Sequence, residues 1–154
     1  MAKVTVFVGT VYGGAHALSE QLIAEINSRG HEAEISSEYS VDVIQASQIL
    51  LCVTSTTGQG EIPDDLAPLI EQLQCQQPLL SSKLFAVIAL GDSSYGETFC
   101  GAGRKVDAMF EQLSAKRIVP RLEIDACEYF EPDQPALVWL DAFLQRLTSL
   151  GVKS

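Results

Sequence analysis

Short apolar runs alternate along the chain with longer stretches whose apolar residues recur at helical spacing. The runs predict five strands, at Val4–Val8, His31–Ile35, Ile49–Val53, Leu84–Leu90 and Arg117–Ile124. The stretches between them predict helices over Gly14–Arg29, after an Asp64 N-cap, around Val106–Leu113, and from near Asp133 onward. Strands and helices in alternation require crossover connections, so the pattern predicts an α/β fold: a doubly wound, five-stranded parallel sheet with helices on both faces.

Length and composition predict a single domain over residues 1–154. The chain is 47% hydrophobic and 19% charged, which is ordinary for a globular protein. No apolar run approaches the roughly 18–20 residues of a membrane span, and the start resembles no secretory signal. The four cysteines lie 23, 25 and 27 residues apart without a CxxC motif. We therefore expect reduced thiols, a cytoplasmic location and no membrane partner.

The charge of the chain is strongly negative. Twenty acidic residues against ten basic ones give a net charge of −10, which excludes a general nucleic-acid binder. The balance is also uneven, since residues 30–82 contain eight acids and no Lys or Arg. Two interpretations stay open: such a surface steers basic partners, or it simply keeps the protein soluble.

Three loops after strands carry unusual composition, and open α/β sheets bind ligands at the carboxyl ends of their strands. The first loop, Gly9–Ala15, is built of small residues and leads into a helix, so converging N–H groups and the helix dipole favour an anion. It is not a P-loop, because Ala15-His16 stands where Lys-Ser/Thr is required. A tight strand-to-helix turn is the alternative interpretation.

The other two loops suit a flat, neutral ligand. Thr54–Asp64 holds four hydroxyl residues and two glycines without Lys, Arg or His, which predicts a polar cradle for the edge of a heteroaromatic ring. No His stands near Ser55 in sequence, which disfavours serine hydrolase chemistry. Gly91–Gly103 sets Tyr95 among small residues, as stacking on a ring requires. Alternatively, Tyr95 and Phe99 only close the end of the sheet.

Together these loops resemble the flavodoxin family, over the whole length of the chain. Phe7–Gly13, Thr54–Asp64 and Ala89–Tyr95 look especially like its short-chain YqcA type, which stands near MioC and the FMN modules of diflavin reductases. The resemblance implies a flavodoxin-like sheet of strand order 2-1-3-4-5. It also implies one non-covalently bound FMN and single-electron transfer between proteins.

The resemblance also assigns cofactor-binding residues, and no catalytic or metal-binding ones. The FMN phosphate would lie among the N–H groups of Thr10, Val11, Tyr12, Gly13, Gly14 and Ala15, with the Thr10 hydroxyl. The ribityl chain and one ring edge would be lined by Thr54, Ser55, Thr56, Thr57 and Gly58, the Gly58–Gln59 peptide being the candidate for a redox-linked flip. The ring would stack on Tyr95, with its pyrimidine edge near Leu90, Gly91, Asp92, Phe99 and Cys100.

Two positions depart from the family pattern. Ala15 stands where many relatives have Thr, and Thr57 stands where many have an aromatic residue. The departures predict weaker FMN binding and a more open flavin face.

The favoured hypothesis is an FMN electron shuttle between a ferredoxin/flavodoxin NADP reductase-type donor and an acceptor protein, through transient electrostatic contacts. Acidic residues near the ring, with Glu61, Asp64, Asp65 and Asp92 as candidates, would steer a basic partner and disfavour the fully reduced flavin. Two alternatives stay open: an FMN-dependent NAD(P)H oxidoreductase acting on quinones or nitro compounds, and a flavin-free interaction factor on the same scaffold.

Overall fold

The chain folds into strands and helices that alternate as the hydrophobic pattern predicts. The structure, a computed structural model, describes residues 3–10, 13–56, 61–91, 100–125 and 133–150. In chain order its elements are β1 (Lys3–Gly9), α1 (Gly14–Ser28), β2 (Glu32–Ile35), α2 (Val41–Ala46), β3 (Ile49–Thr54), α3 (Ala67–Gln76), β4 (Leu84–Gly91), α4 (Gly101–Gln112), β5 (Lys116–Arg117), β6 (Leu122–Asp125) and α5 (Asp133–Ser149).

The strands form one parallel sheet in the order β2-β1-β3-β4-β5, with β6 also paired to β4. This confirms the predicted doubly wound sheet and its strand order. Gly9 pairs with Thr54, and Thr54 pairs with Ala89, so β1, β3 and β4 end side by side. We call this side of the sheet the carboxyl edge, and the side where the strands begin the amino edge.

Apolar side chains cover both faces of the sheet. Neighbouring residues of β1 point to opposite sides: Val6 joins the core beneath α1 and α5, whereas Phe7 joins the core beneath α2, α3 and α4. All six residues of β3 are buried, as its uninterrupted apolar sequence predicts for a central strand. None of the helices in the described ranges is long and apolar enough to cross a membrane.

The predicted fifth strand, Arg117–Ile124, is divided into two short strands. β5 pairs with the start of β4, and β6 pairs with its end, from Ile88 to Gly91. Pro120 lies between them and has no N–H group to donate to a ladder, so the pairing is interrupted there. The prediction of one continuous strand is therefore wrong, although both pieces lie along β4.

Two helix starts also differ from expectation. The short helix α2 was not predicted; the Ser40 hydroxyl caps it by accepting the Val43 N–H at 3.3 Å. The prediction that Asp64 caps α3 is wrong, because the N-cap is Leu66, which has no side-chain cap. Instead the Pro63 carbonyl accepts the N–H groups of Leu66 and Ala67, at 3.0 and 2.9 Å. Pro68, in the first turn of α3, has no N–H group that would need a cap.

Candidate functional site

The loop after β1 leads directly into the N-terminus of α1, where the first backbone N–H groups have no partner within the helix. Gly13 is the N-cap, with a φ of 87°, and no side chain caps the helix. The first turn holds no acidic residue, so no side chain of α1 itself neutralises the positive end of the helix dipole. A Cβ added at Gly14 would meet no atom within 4 Å, so the space beside this turn is open. The arrangement can hold an anion.

The two described parts of this loop are joined by Thr10. Its hydroxyl accepts the Gly13 N–H at 2.8 Å, and its own N–H donates to both carboxylate oxygens of Asp65, at 3.0 and 3.1 Å. Asp65 precedes the N-cap of α3 and comes from a different part of the chain. The Thr10 N–H, which the family resemblance assigns to the phosphate, is therefore engaged by a side chain of the protein.

The second loop is bonded to the first through Ser55. The Ser55 N–H donates to the Gly9 carbonyl at 2.9 Å, and the Ser55 hydroxyl donates to the same carbonyl at 3.3 Å. Thr54 is fully buried, and a Cβ added at Gly9 would lie only 2.6 Å from its hydroxyl oxygen. Because the ends of β1 and β3 approach so closely, glycine is needed at position 9.

Thr56 connects the second loop to the helix that follows the third loop. Its hydroxyl accepts the Ala102 N–H, in the first turn of α4, at 3.4 Å. The two ends of the third loop lie side by side, since a Cβ added at Gly91 would lie 2.7 Å from the Cys100 backbone nitrogen. The Cys100 backbone adopts a left-handed φ of 54° at the N-cap of α4. The three loops therefore meet at the carboxyl edge.

Burial makes the two cysteines near this edge poor nucleophiles. It raises the pKa of the Cys100 thiol to about 12, with a further contribution from the Glu123 carboxylate. Burial likewise raises the pKa of Cys52, in β3, to about 12, and Asp65 adds to the effect. Both thiols thus stay protonated and unreactive at neutral pH. Within the described ranges, no three His, Cys, Asp or Glu side chains gather where they could hold a metal ion.

The structure brings together ten of the residues predicted to bind the cofactor. They lie in or beside the three loops at the carboxyl edge: Thr10, Gly13, Gly14, Ala15, Thr54, Ser55, Thr56, Leu90, Gly91 and Cys100. The other predicted positions lie outside the described residues, and so does the Gly58–Gln59 peptide: Val11, Tyr12, Thr57, Gly58, Asp92, Tyr95 and Phe99. The contact of Asp65 with the first loop was missed, because sequence spacing alone cannot show which loop a carboxylate will reach.

Comparisons with known proteins agree with this geometry. The family model described as flavodoxin matches residues 6–138. Flavodoxin YqcA from Pectobacterium carotovorum subsp. carotovorum is 38% identical over 145 residues, which are 93% of this chain and 95% of that protein. The flavoprotein alpha-component of the NADPH sulfite reductase from Bacillus subtilis is 36% identical over 152 residues, 97% of this chain and 24% of that longer protein. A solved mutant of a flavodoxin from Pseudomonas aeruginosa, 38% identical, superimposes with a TM-score of 0.86 over 95% of this chain and 99% of that one.

A doubly wound sheet whose loops meet at the carboxyl edge has the arrangement in which open α/β proteins bind nucleotide-type cofactors. The family match over most of its length makes the assignment specific: the chain belongs to the flavodoxin family. Flavodoxins bind FMN and carry electrons rather than catalyse reactions on substrates. The predictions of a flavodoxin, of FMN as cofactor and of an electron carrier are thereby confirmed.

The described residues fit such a cofactor. A phosphate needs N–H donors and positive potential, which the uncapped first turn of α1 and the open space at Gly14 supply. A polyol chain needs hydroxyl partners, which Ser55 and Thr56 offer from partly buried positions beside that turn. The donor set is neutral, so the phosphate charge would be met by N–H dipoles rather than by a Lys or Arg side chain.

Proposed function

We propose that this protein shuttles single electrons from a reductase of the ferredoxin/flavodoxin NADP type to an acceptor protein, with FMN held at the carboxyl edge. The observation that carries the proposal is the joining of the three loops by hydrogen bonds from Ser55 to Gly9 and from Ala102 to Thr56. FMN, when bound, supplies the redox chemistry, since its ring exchanges one electron at a time. A cytoplasmic location remains part of the proposal.

The first loop would bind the phosphate and so fix the position of the whole cofactor. The N–H groups of Val11, Tyr12, Gly14 and Ala15 would face the phosphate, whereas the Thr10 N–H is directed to Asp65 and the Gly13 N–H to the Thr10 hydroxyl. Ala15 contributes only its backbone, because its side chain has no hydroxyl to add. We therefore expect binding through N–H dipoles and geometry alone, with no counter-charge in the described part of the loop.

The second and third loops would hold the rest of FMN. Ser55 and Thr56 would face the ribityl chain beside the buried Thr54, and Thr57 and Gly58 would complete that side. Tyr95 would stack on the ring, with Asp92 and Phe99 near its pyrimidine edge, beside Leu90, Gly91 and Cys100. The tight contact between Gly91 and Cys100 supports this arrangement, because it fixes both ends of the loop that carries Tyr95.

The charge distribution supports a basic redox partner. Asp64 and Asp65 are exposed beside the first loop, and the chain as a whole carries a charge of −10. Such a surface attracts a basic protein and guides it toward the carboxyl edge before contact. Electron-transfer partners commonly form small, short-lived interfaces, so steering would contribute more than tight binding.

The phosphate position can be tested with the variant Gly14→Glu. A Cβ at Gly14 meets open space, and an acidic residue in the first turn favours the helix, so the fold should be kept. The added carboxylate would repel the FMN phosphate. We expect the wild-type protein to bind one FMN and the variant to bind it at least about tenfold more weakly, whereas the affinity for riboflavin, which lacks phosphate, should change little.

Flavin fluorescence quenching measures both affinities. Gln21→Glu is the matched control, since it adds the same charge to the exposed side of α1 two turns further on.

Stepwise anaerobic reduction tests the redox part of the proposal. The FMN complex of the wild-type protein should be reduced in two separate one-electron steps, and it should oxidise NADPH slowly unless a reductase is present. Rapid NADPH turnover without a reductase would favour the oxidoreductase alternative. No saturable FMN binding would refute the proposal.

A further inference from the structure

The carboxylate of Asp65 connects the first loop to the start of α3. Both of its oxygens accept the Thr10 N–H, at 3.0 and 3.1 Å, across 55 positions of sequence. Thr10 in turn accepts the Gly13 N–H through its hydroxyl at 2.8 Å. One carboxylate thereby holds the first residue of the loop, and that residue holds the N-cap of α1.

Packing beside this carboxylate fixes its position. Leu66, the next residue, is buried against the end of β1: a Cβ placed at Gly9 would lie 3.0 Å from its Cδ2 atom. The carbonyl of Pro63 accepts the Leu66 N–H at 3.0 Å and so orders the turn that carries Asp65. The carboxylate is thus presented to Thr10 by a well-packed turn, even though Asp65 itself is exposed.

We propose that Asp65 is a positioning residue for the phosphate of FMN, which rests on the phosphate position given under the proposed function. By taking the Thr10 N–H, Asp65 holds the Gly9–Thr10 peptide away from the phosphate position, and the Thr10 hydroxyl in turn holds the N-cap of α1, whose first N–H groups would face the phosphate. The loop then needs less ordering when FMN binds, and a preordered site binds more tightly.

Two effects of the carboxylate oppose each other. Its hydrogen bond orders the loop, and a hydrogen bond to a charged acceptor is stronger than one to a neutral acceptor. Its negative charge repels a phosphate dianion, but Asp65 is exposed and water weakens that repulsion. In this proposal the ordering effect is the larger of the two. A neutral acceptor of the same shape should keep most of it and lose the repulsion.

The experiment compares Asp65→Ala with Asp65→Asn. The alanine variant removes the acceptor, so we expect FMN to bind about five- to tenfold more weakly and riboflavin less than about twofold more weakly. The asparagine variant keeps an oxygen that can accept the Thr10 N–H, so its FMN affinity should stay within about twofold of the wild type. Glu71→Gln, which removes one exposed charge from α3, is the control and should bind as the wild type does.

Amide hydrogen exchange of Thr10 in the flavin-free protein gives a second measurement that needs no cofactor. The amide should be protected in the wild type and exchange about tenfold faster in Asp65→Ala, with an intermediate rate in Asp65→Asn. Three results would each overturn the proposal. They are an equal loss of FMN and riboflavin affinity in Asp65→Ala, an FMN affinity of Asp65→Asn as weak as that of Asp65→Ala, and an unchanged exchange rate of the Thr10 amide in Asp65→Ala. Failure of wild-type FMN binding would instead refute the proposed function and leave the exchange result standing.

Discussion

The hydroxyl of Tyr39 completes the hydrogen bonding of β1 where its neighbouring strand ends. β2 pairs with β1 only as far as Val6, so the Val8 N–H has no strand partner on that side and donates to the Tyr39 oxygen at 2.7 Å. The Tyr39 ring meets Phe7 edge-on, with centroids 5.4 Å apart. A loop side chain thus replaces a missing strand residue just before the first loop of the site.

Replacing Tyr39 by Phe should destabilise the protein by about 1–2 kcal/mol, because the Val8 N–H would lose its acceptor while the ring packing is kept. Urea unfolding of the flavin-free protein measures the difference. Tyr39→Leu, which also removes the aromatic contact, should unfold at still lower urea. A phenylalanine variant as stable as the wild type would show that water satisfies the Val8 N–H equally well.

The stability difference between the wild type and Tyr39→Phe should depend on pH. Burial raises the pKa of Tyr39 above its ordinary value of about 10, partly offset by the hydrogen bond from Val8. As pH rises, the Tyr39 phenol therefore loses its proton in the unfolded chain before it does so in the folded protein. The stabilisation that Tyr39 contributes is complete below pH ~10 and is lost as pH rises further. The stability difference between the wild type and Tyr39→Phe should narrow in that range.

At the scale of elements, α4 holds together the two halves of the interrupted fifth strand. The Asp107 side chain is only 6% exposed, and its carboxylate accepts hydrogen bonds from the Arg117 guanidinium at 3.0 and 3.1 Å and from the Arg121 guanidinium at 2.6 Å. Arg117 ends β5 and Arg121 precedes β6, so these ion pairs bridge the gap at Pro120. They replace part of the ladder that the proline removes.

Asp107→Ala should therefore destabilise the protein by about 2–4 kcal/mol, since it leaves two guanidinium groups without their buried partner. The matched control is Glu111→Ala, which removes a mostly exposed partner of Arg117 and should cost less than about 1 kcal/mol. Urea unfolding gives both values. Equal costs would mean that Asp107 acts as a surface charge, without bridging the two strands.

Strands that are buried on both faces were predictable, whereas features that depend on contacts across the sheet were not. The apolar runs of β1, β3 and β4 specify central strands by themselves, and the stripe of Leu18, Leu22 and Ile26 specifies α1. The three glycine- and hydroxyl-rich loops also lie at one edge, as the alternation of strands and helices requires.

The errors share a physical origin. A carboxylate before a helix is typical of an N-cap. Asp64 does not cap α3, however, and the carboxylate of the neighbouring Asp65 accepts the Thr10 N–H from the loop after β1. The fifth strand looked continuous because the sequence does not show that its pairing with β4 changes register around Pro120, from Phe85 opposite Arg117 to Ile88 opposite Leu122. A six-residue helix such as α2 is too short for its apolar residues to repeat at helical spacing, so only the Ser40 cap marks its start in the sequence.

At the scale of the whole molecule, several basic residues lie along the amino edge of the sheet. Lys3 and Lys116 begin strands, Lys83 directly precedes β4, and Arg29 and Arg146 lie at helix ends that reach the amino edge. At the carboxyl edge, Asp64 and Asp65 are exposed, whereas Arg104, early in α4, is paired with Glu123. The two exposed carboxylates beside the proposed FMN site would therefore attract a basic partner to that edge.

This attraction predicts a strong salt dependence for reduction by a basic reductase. Between about 0.05 and 0.5 M salt, the second-order rate constant should fall roughly tenfold, because screening removes long-range attraction. Stopped-flow absorbance of the FMN-loaded protein measures the rate. Rates indifferent to ionic strength would contradict steering and leave solubility as the only role of the charge.

Two charge reversals separate the direction of the field from its total. Asp64→Lys and Glu32→Lys raise the net charge equally, both at exposed positions, but Asp64 lies at the carboxyl edge and Glu32 begins β2 at the amino edge. The first should slow reduction at low salt by about three- to fivefold and flatten its salt dependence, whereas the second should change the rate less than about twofold. Equal effects would mean that the partner responds to net charge alone. Unequal effects in the expected order would show that it is guided to the edge where β1, β3 and β4 end.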